Sequence, residues 1–369
     1  FNKEKKEEGR FESSNKDLMK TNVFVNRAMS MMMPLLMFVM SSITVLIVWV
    51  GAHNVDAGTL QVGDMMAFIQ YTMQIIMSFL MISIVSIMLP RAIVSIGRID
   101  EVLKTPLTIL NPKEKKEPTE VGTVEFKDVS FRYPDSDGYM LHHINFKAEK
   151  GETVAFIGST GSGKSTLINL IPRFFEATKG EVLVDGVNVK ELDQKELRDK
   201  IGYVPQTGVL FSGTIASNLR YGKEDANEKE IQEALDIAQA SEFVSKLEKG
   251  TESPISQGGT NVSGGQKQRL SIARAVIKKP EIYIFDDSFS ALDFKTDAAL
   301  RKALRTKTKG STMLIVAQRI STIMNADRIV VLDDGKVVGT GTHQELLKSC
   351  EVYREIALSQ LSKEELDYE

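Results

Sequence analysis

Glu152-Thr153-Val154-Ala155-Phe156-Ile157 runs straight into Gly158-Ser159-Thr160-Gly161-Ser162-Gly163-Lys164-Ser165-Thr166. The first run is apolar enough for a buried strand, and Ser165 to Ile171 reads as a helix. Strand, glycine-rich loop and helix, in that order, are the setting in which a loop wraps phosphate. Glycines let successive backbone N–H groups curl around phosphate oxygens. Lys164 supplies positive charge to the β and γ phosphates of a nucleotide, and the Ser165 hydroxyl is suited to ligate Mg²⁺. The helix that follows adds its N-terminal dipole. A plain Gly/Ser turn is the bland alternative, and the full motif in its setting outweighs it.

Further along, Ile282-Tyr283-Ile284-Phe285 is an apolar run suited to a buried parallel strand, and it ends in Asp286-Asp287. Asp286 is placed to hold Mg²⁺ directly or through water. Upstream, Thr123 to Val129 alternates like a strand. The expected fold of this part is therefore α/β, over residues 121–362, with a short tail at 363–369.

The first third of the chain differs in kind. No charged side chain lies between Arg27 and His53, or between Asp64 and Arg91. Each stretch exceeds the ~20 apolar residues that cross a ~30 Å hydrocarbon core. Two membrane-spanning helices are expected, at about residues 28–52 and 63–92, with a cytoplasmic continuation to 104. Lys20 and Arg27 precede the first, Arg91 and Arg98 follow the second, and the loop 53–64 has no Lys or Arg. Both ends then lie in the cytoplasm and the loop outside. Trp49 suits the outer interface, and Pro34 and Pro90 are candidate kinks. Methionine crowds this region, as in Met29, Met31, Met32 and Met33; it is either gap filling or the lining of an adaptable apolar pocket. Residues 1–26 carry mixed charge and read as a solvated helix running into the membrane. The chain begins at Phe1, which reads as an incomplete polypeptide, since two helices cannot enclose a pathway. Thr105-Pro106 and the proline-bounded charge run Asn111 to Pro118 mark a linker over 105–120.

Net charge is −3, so no basic field invites nucleic acid, and a single cysteine, Cys350, excludes an internal disulfide framework. The four histidines show no metal-ligand spacing.

Val262-Ser263-Gly264-Gly265-Gln266, followed by Lys267-Gln268-Arg269, resembles the signature motif of ATP-binding cassette (ABC) proteins, with Val262 where leucine is usual. Tyr133 resembles the aromatic residue that stacks on adenine, and Gln206 the glutamine that senses Mg²⁺ and the membrane domain. Ser290-Ala291-Leu292-Asp293 resembles the D-loop, and Gln318 stands at the switch-histidine position. With membrane helices ahead of them, these elements resemble an exporter-type ABC transporter. Phe1 to Asn22 is similar to the end of its fourth membrane helix, and the two spans to its fifth and sixth. The resemblance implies ATP and Mg²⁺ as ligands and a multi-pass cell-membrane location with the ATPase domain in the cytoplasm. It also implies a partner cassette, because each ATP is held between one chain's phosphate loop and the other's signature.

Against that pattern, Asp287 stands where a glutamate positions the attacking water, and Gln318 where a histidine is usual. A carboxylate drawn back by ~1 Å can cost ~10²-fold, and lost base help ~10²–10⁴-fold. Gln318 keeps hydrogen-bonding capacity but cannot carry a proton near neutral pH. Gln257, in Ser256-Gln257-Gly258, replaces an expected glutamate. The expectation is a heterodimeric exporter of hydrophobic compounds in which this chain's own site is degenerate, while its Ser263 to Gln266 completes the partner's hydrolytic site. A lipid or peptide exporter and an ATP-gated, channel-like protein remain as alternatives.

Overall fold

A computed structural model describes residues 2–134 and 136–360, which divide at Pro106 into two compact units. The tail expected at 363–369 lies outside the described residues.

The first unit is a pair of helices, Glu4–Asp56 and Val62–Lys104. Both are long and apolar enough to cross a membrane. The first has 53 residues, about 80 Å at 1.5 Å per residue, so its charged N-terminal part extends well beyond a ~30 Å hydrocarbon layer. Helix continues through both Pro34 and Pro90. Side-chain hydroxyls along the apolar stretches bond the carbonyl four residues back, as Ser42 does to Phe38, Thr72 to Phe68 and Ser83 to Phe79. This satisfies polar groups without water, as lipid requires. The two helices meet beside Gly51, where an added Cβ would stand 2.8 Å from the Met65 side chain. Most large apolar residues of the pair, Trp49 and Phe79 among them, are exposed. An apolar surface of that extent needs lipid or further helices to cover it.

The second unit is built on a six-stranded sheet in the order Lys336–Gly341, Arg328–Asp333, Thr153–Gly158, Thr312–Val316, Ile282–Asp286, Ile201–Val204. All neighbours are parallel except the first pair. Its central strands are buried throughout, which explains their unbroken apolar reading. A second, antiparallel sheet carries Leu141–Ala148, Val124–Phe131, Lys179–Val184 and Val187–Asn188. One core packs between the two sheets, with Phe126, Phe146, Phe156 and Leu167 among its members. The other lies on the far face of the parallel sheet, where helices such as Gly264–Ile277 pack over Tyr283 and Phe285.

Four adjacent parallel strands, ending at Gly158, Val316, Asp286 and Val204, release their chains at one edge of the sheet. The carboxyl ends of such strands are where open α/β sheets bind ligands.

Residues 107–120 lie along the second unit. Asn111 accepts from the Gln194 N–H and donates to Asp193, Lys115 pairs with Glu196, and the Lys116 N–H bonds the Glu191 carbonyl. Arg173 donates to the carbonyl of Leu110 at 2.9 Å.

Candidate functional site

The loop after Thr153–Gly158 has the backbone its glycines imply. Gly161 and Gly163 sit at φ 86° and 95°, in the left-handed region. At Gly158 the constraint is space: a Cβ would stand 2.0 Å from the Leu332 carbonyl oxygen. The helix Lys164–Leu170 follows directly. Ser159, Thr160, Gly161 and Ser165 are exposed, while Ser162, Gly163, Lys164 and Thr166 are buried. The Lys164 ammonium donates to the carbonyls of Gly158 (2.9 Å) and Ser159 (2.7 Å) and to Ser162 Oγ (3.3 Å). Burial pushes its pKa down, and the nearby carboxylates of Asp287 and Asp286 oppose that shift.

Asp286 ends its strand with its carboxylate accepting from the Ser165 hydroxyl at 2.8 Å. Burial raises the Asp286 pKa, the Ser165 hydrogen bond opposes this, and the Asp287 charge adds to it. Asp287 follows at φ 46°, with its N–H on the Val316 carbonyl at 2.9 Å. This left-handed turn lifts its carboxylate out of the strand line. Burial raises its pKa too, against hydrogen bonds from Gln206 and Ser290.

One oxygen of Asp287, Oδ2, accepts from two amides, Gln318 Nε2 at 2.9 Å and Gln206 Nε2 at 3.3 Å. Residues 206, 287 and 318 thus meet because strands 201–204, 282–286 and 312–316 are neighbours. The Gln318 carbonyl is itself held by Gln360 Nε2 at 2.8 Å, and Gln360 Oε1 accepts the Ile320 N–H at 2.9 Å. No signal in the sequence pointed to Gln360, which reaches back from the last described turn.

Tyr133 flanks the loop on the side of the antiparallel sheet. Its hydroxyl meets Thr166 Oγ1 at 3.0 Å, and Phe131 and Phe175 contact its ring in edge geometry at 4.8 and 5.2 Å.

Ser263, Gly264, Gly265 and Gln266 lie elsewhere in the bonding network. Ser263 caps the helix Gly264–Ile277: its Oγ accepts the Gln266 N–H, and Gln266 Oε1 accepts the Ser263 N–H at 2.9 Å. Ser263 and Gly264 are exposed, and a Cβ on Gly264 would meet nothing within 4 Å. Among the described residues, no hydrogen bond joins this segment to the phosphate loop or to Asp286 and Asp287. Asp293 caps the helix Phe294–Lys307, accepting from the Thr296 N–H at 2.9 Å. Gln257 lies in the short turn Gln257–Gly259, where Gly258 and Gly259 take φ 69° and 64°.

Two oxygen donors that fit a hard cation beside phosphate are brought together, the Ser165 hydroxyl and the buried Asp286 carboxylate, while the Gln206 amide meets the neighbouring Asp287 through its Nε2. A carboxylate with its pKa raised by burial gains most from a nearby cation.

A loop of this build, at the carboxyl edge of a parallel sheet and beside an antiparallel sheet, defines a nucleotide-binding domain. Residues 141–290 match the family description "ABC transporter", and residues 1–79 match "ABC transporter transmembrane region". The chain belongs to the ABC transporters, with a helical membrane region followed by the α/β ATPase domain, as in an exporter half-transporter. It is 44% identical over 365 residues to an uncharacterized ABC transporter ATP-binding protein of Mycobacterium bovis, covering 98% of this chain and 62% of that protein. Over 235 residues it is 45% identical to a Staphylococcus aureus protein provisionally named a multidrug export ATP-binding/permease protein, covering 64% of this chain and 41% of that one. A bacterial Atm1-family ABC exporter, solved with ATP bound, superposes with a TM-score of 0.83 at 29% identity, covering 98% of this chain and 64% of that one. The chain thus spans less than two thirds of the length of these relatives.

Proposed function

We propose that this chain is part of an ATP-driven exporter subunit whose own nucleotide site grips ATP and cleaves it poorly, and whose Ser263 to Gln266 completes a productive site on a second half-transporter. The observation that carries the reading is the double occupation of Asp287 Oδ2 by the amides of Gln318 and Gln206. A group that orients the attacking water must offer it a lone pair. Here one oxygen of the carboxylate already serves two donors, the whole group is one methylene shorter than a glutamate, and neither amide can take the proton onward.

The rest of the site favours binding. Backbone N–H groups of the loop and the desolvated Lys164 ammonium match a triphosphate, and Tyr133 offers a ring for adenine. Mg²⁺, when bound, supplies charge neutralisation between the phosphates, with Ser165, Asp286 and Gln206 as its holders. The outward-facing signature, at the start of the helix Gly264–Ile277, presents N–H groups to a γ-phosphate that belongs to another chain's loop. Two Met-rich apolar helices and the name of the S. aureus relative favour hydrophobic small molecules as cargo.

The test is ATP turnover by the full-length subunit assembled with its partner in lipid. Ser263→Arg should abolish turnover to within a few per cent, because it blocks the γ-phosphate approach. Asp287→Asn should change turnover less than about threefold, since the base it removes contributes little. The opposite ranking would refute the assignment.

A further inference from the structure

On the face of the parallel sheet that carries the helix Gly264–Ile277, the helix Phe294–Lys307 and residues 320–326 enclose a cavity of about 440 Å³. That lies within the ~300–1,000 Å³ of small-molecule sites and far exceeds the voids a packed interior leaves. Its floor is apolar, made by Phe289, Leu304, Met313 and Ile315. Arg301 holds the two walls at a fixed spacing. Its Nε and Nη2 donate to the Asp297 carboxylate at 2.9 and 3.1 Å, and its Nη1 to the carbonyls of Ser321 and Thr322 at 3.0 and 3.3 Å. Asp297 is 1% exposed, so this forked pair belongs to the fold and its charge is cancelled. Two further cations, Lys302 and Arg305, line the cavity from exposed positions. Among the described residues, neither has an ion pair or a side-chain hydrogen bond, and no Asp or Glu lines the cavity. Thr322 lines it too and is 6% exposed, and its hydroxyl has no hydrogen-bond partner among the described residues.

We infer that this cavity binds a small amphipathic monocarboxylate, an apolar body with one carboxylate head, and that its occupant tunes this chain's nucleotide site. The lining selects that chemistry. The floor gains by being covered with apolar surface. A carboxylate head meets Lys302 and Arg305, whose charge nothing else on the cavity wall offsets, and can accept from the Thr322 hydroxyl. A neutral compound of the same shape leaves all three donors unmatched, and a cationic one faces two like charges. The walls also run directly into the nucleotide site. Phe289 follows Asp287 by two residues, and Ser321 follows Gln318 by three. Asp287 and Gln318 are the pair joined at 2.9 Å. An occupant in contact with Phe289 and Ser321 therefore bears on both ends of that hydrogen bond. None of this depends on which chain's nucleotide Ser263 to Gln266 meet.

Photo-crosslinking in the full-length, partner-assembled transporter in lipid tests it. The probe is decanoate carrying a terminal diazirine, with the matching neutral alcohol as control. Expected is saturable label on residues 298–305 or 320–326, competed by decanoate and not by decanol. Replacing both cations, Lys302→Gln with Arg305→Gln, should cut that label about tenfold or more, the loss of charged hydrogen bonds to the head. Ala298→Phe sets a ring in the cavity wall with the cations intact and should remove the label as well. All three positions are exposed, so the variants should melt close to the parent protein and a folding defect is told apart from lost binding. Saturating decanoate should shift ATP turnover about twofold or more in the parent protein and leave Ala298→Phe unmoved. Equal label from acid and alcohol, label undiminished in the variants, or a turnover shift that survives Ala298→Phe would each overturn the inference. Label seen only in a chain ending at Gln360 would assign the cavity to residues 361–369, with their Glu364, Glu365 and Asp367, and would overturn it too.

Discussion

Three side chains meet at one carboxylate oxygen and carry the proposed function: Asp287 accepts, and Gln206 and Gln318 donate. Each was visible in the sequence as a departure or a match, but their convergence was not. It depends on strand order, which brings residues 81 and 31 positions from Asp287 onto one oxygen. The carboxylates also set a pH dependence. Asp286 and Asp287 are both held above the ordinary carboxylate range, chiefly by burial. A raised native pKa means the folded state binds the proton more tightly than the unfolded chain. The stabilisation is therefore fully present below about pH 4 and is lost as pH rises through the native values. Lys164 has the opposite sign, with its pKa lowered by burial, so its share is lost as pH falls through its depressed value. From about pH 4 upward, through their raised native values, these two carboxylates make stability fall as pH rises. Asp286→Asn should flatten this carboxylate-linked part of the loss in thermal stability of nucleotide-free protein. Melting curves taken across that window check it, and an undiminished slope in the variant would count against the two aspartates as its source.

At the scale of elements, the phosphate loop and the strands at 153–158 and 282–286 were legible because each is a local pattern in its own setting. The stretch after Lys104 was not. Its prolines and mixed charges read as a linker, and only the folded cassette supplies Asp193, Glu196, Glu191 and Arg173 as partners. Arg173 is buried at φ 56°, pairs with Glu176, and follows the phosphate-loop helix by three residues. It therefore fastens the main chain at Leu110 to the segment that follows the helix Lys164–Leu170. Arg173→Met should cost about 1–3 kcal/mol, the range for a buried hydrogen-bonding group left without its partner. It should also speed proteolysis between residues 105 and 112. Chemical denaturation and limited digestion measure the two effects, and a destabilised cassette with an undisturbed strap would show that Arg173 acts only within the fold.

On the scale of the whole molecule, the parts are unequal in what they can do alone. Two helices with their apolar surface exposed need lipid or other helices around them, and the proposed function pairs a signature that makes no hydrogen bond, among the described residues, to this chain's phosphate loop with the loop of another chain. Composition made the first point readable, since a long uncharged run matches the thickness of a lipid layer and suits little else. The second is an expectation that comes from resemblance and stays a proposal, because nothing in the residues Ser263 to Gln266 says which chain's nucleotide they meet. Under the proposed function, this chain's own site retains its ATP while the partner's site turns over. The direct measurement uses the assembled transporter in lipid and an azido-ATP labelled on either the α or the γ phosphate, cross-linked after several turnovers. Equal α and γ label on this subunit, with γ label lost from the partner, is the predicted result. Loss of γ label from both subunits at the same rate would contradict the account.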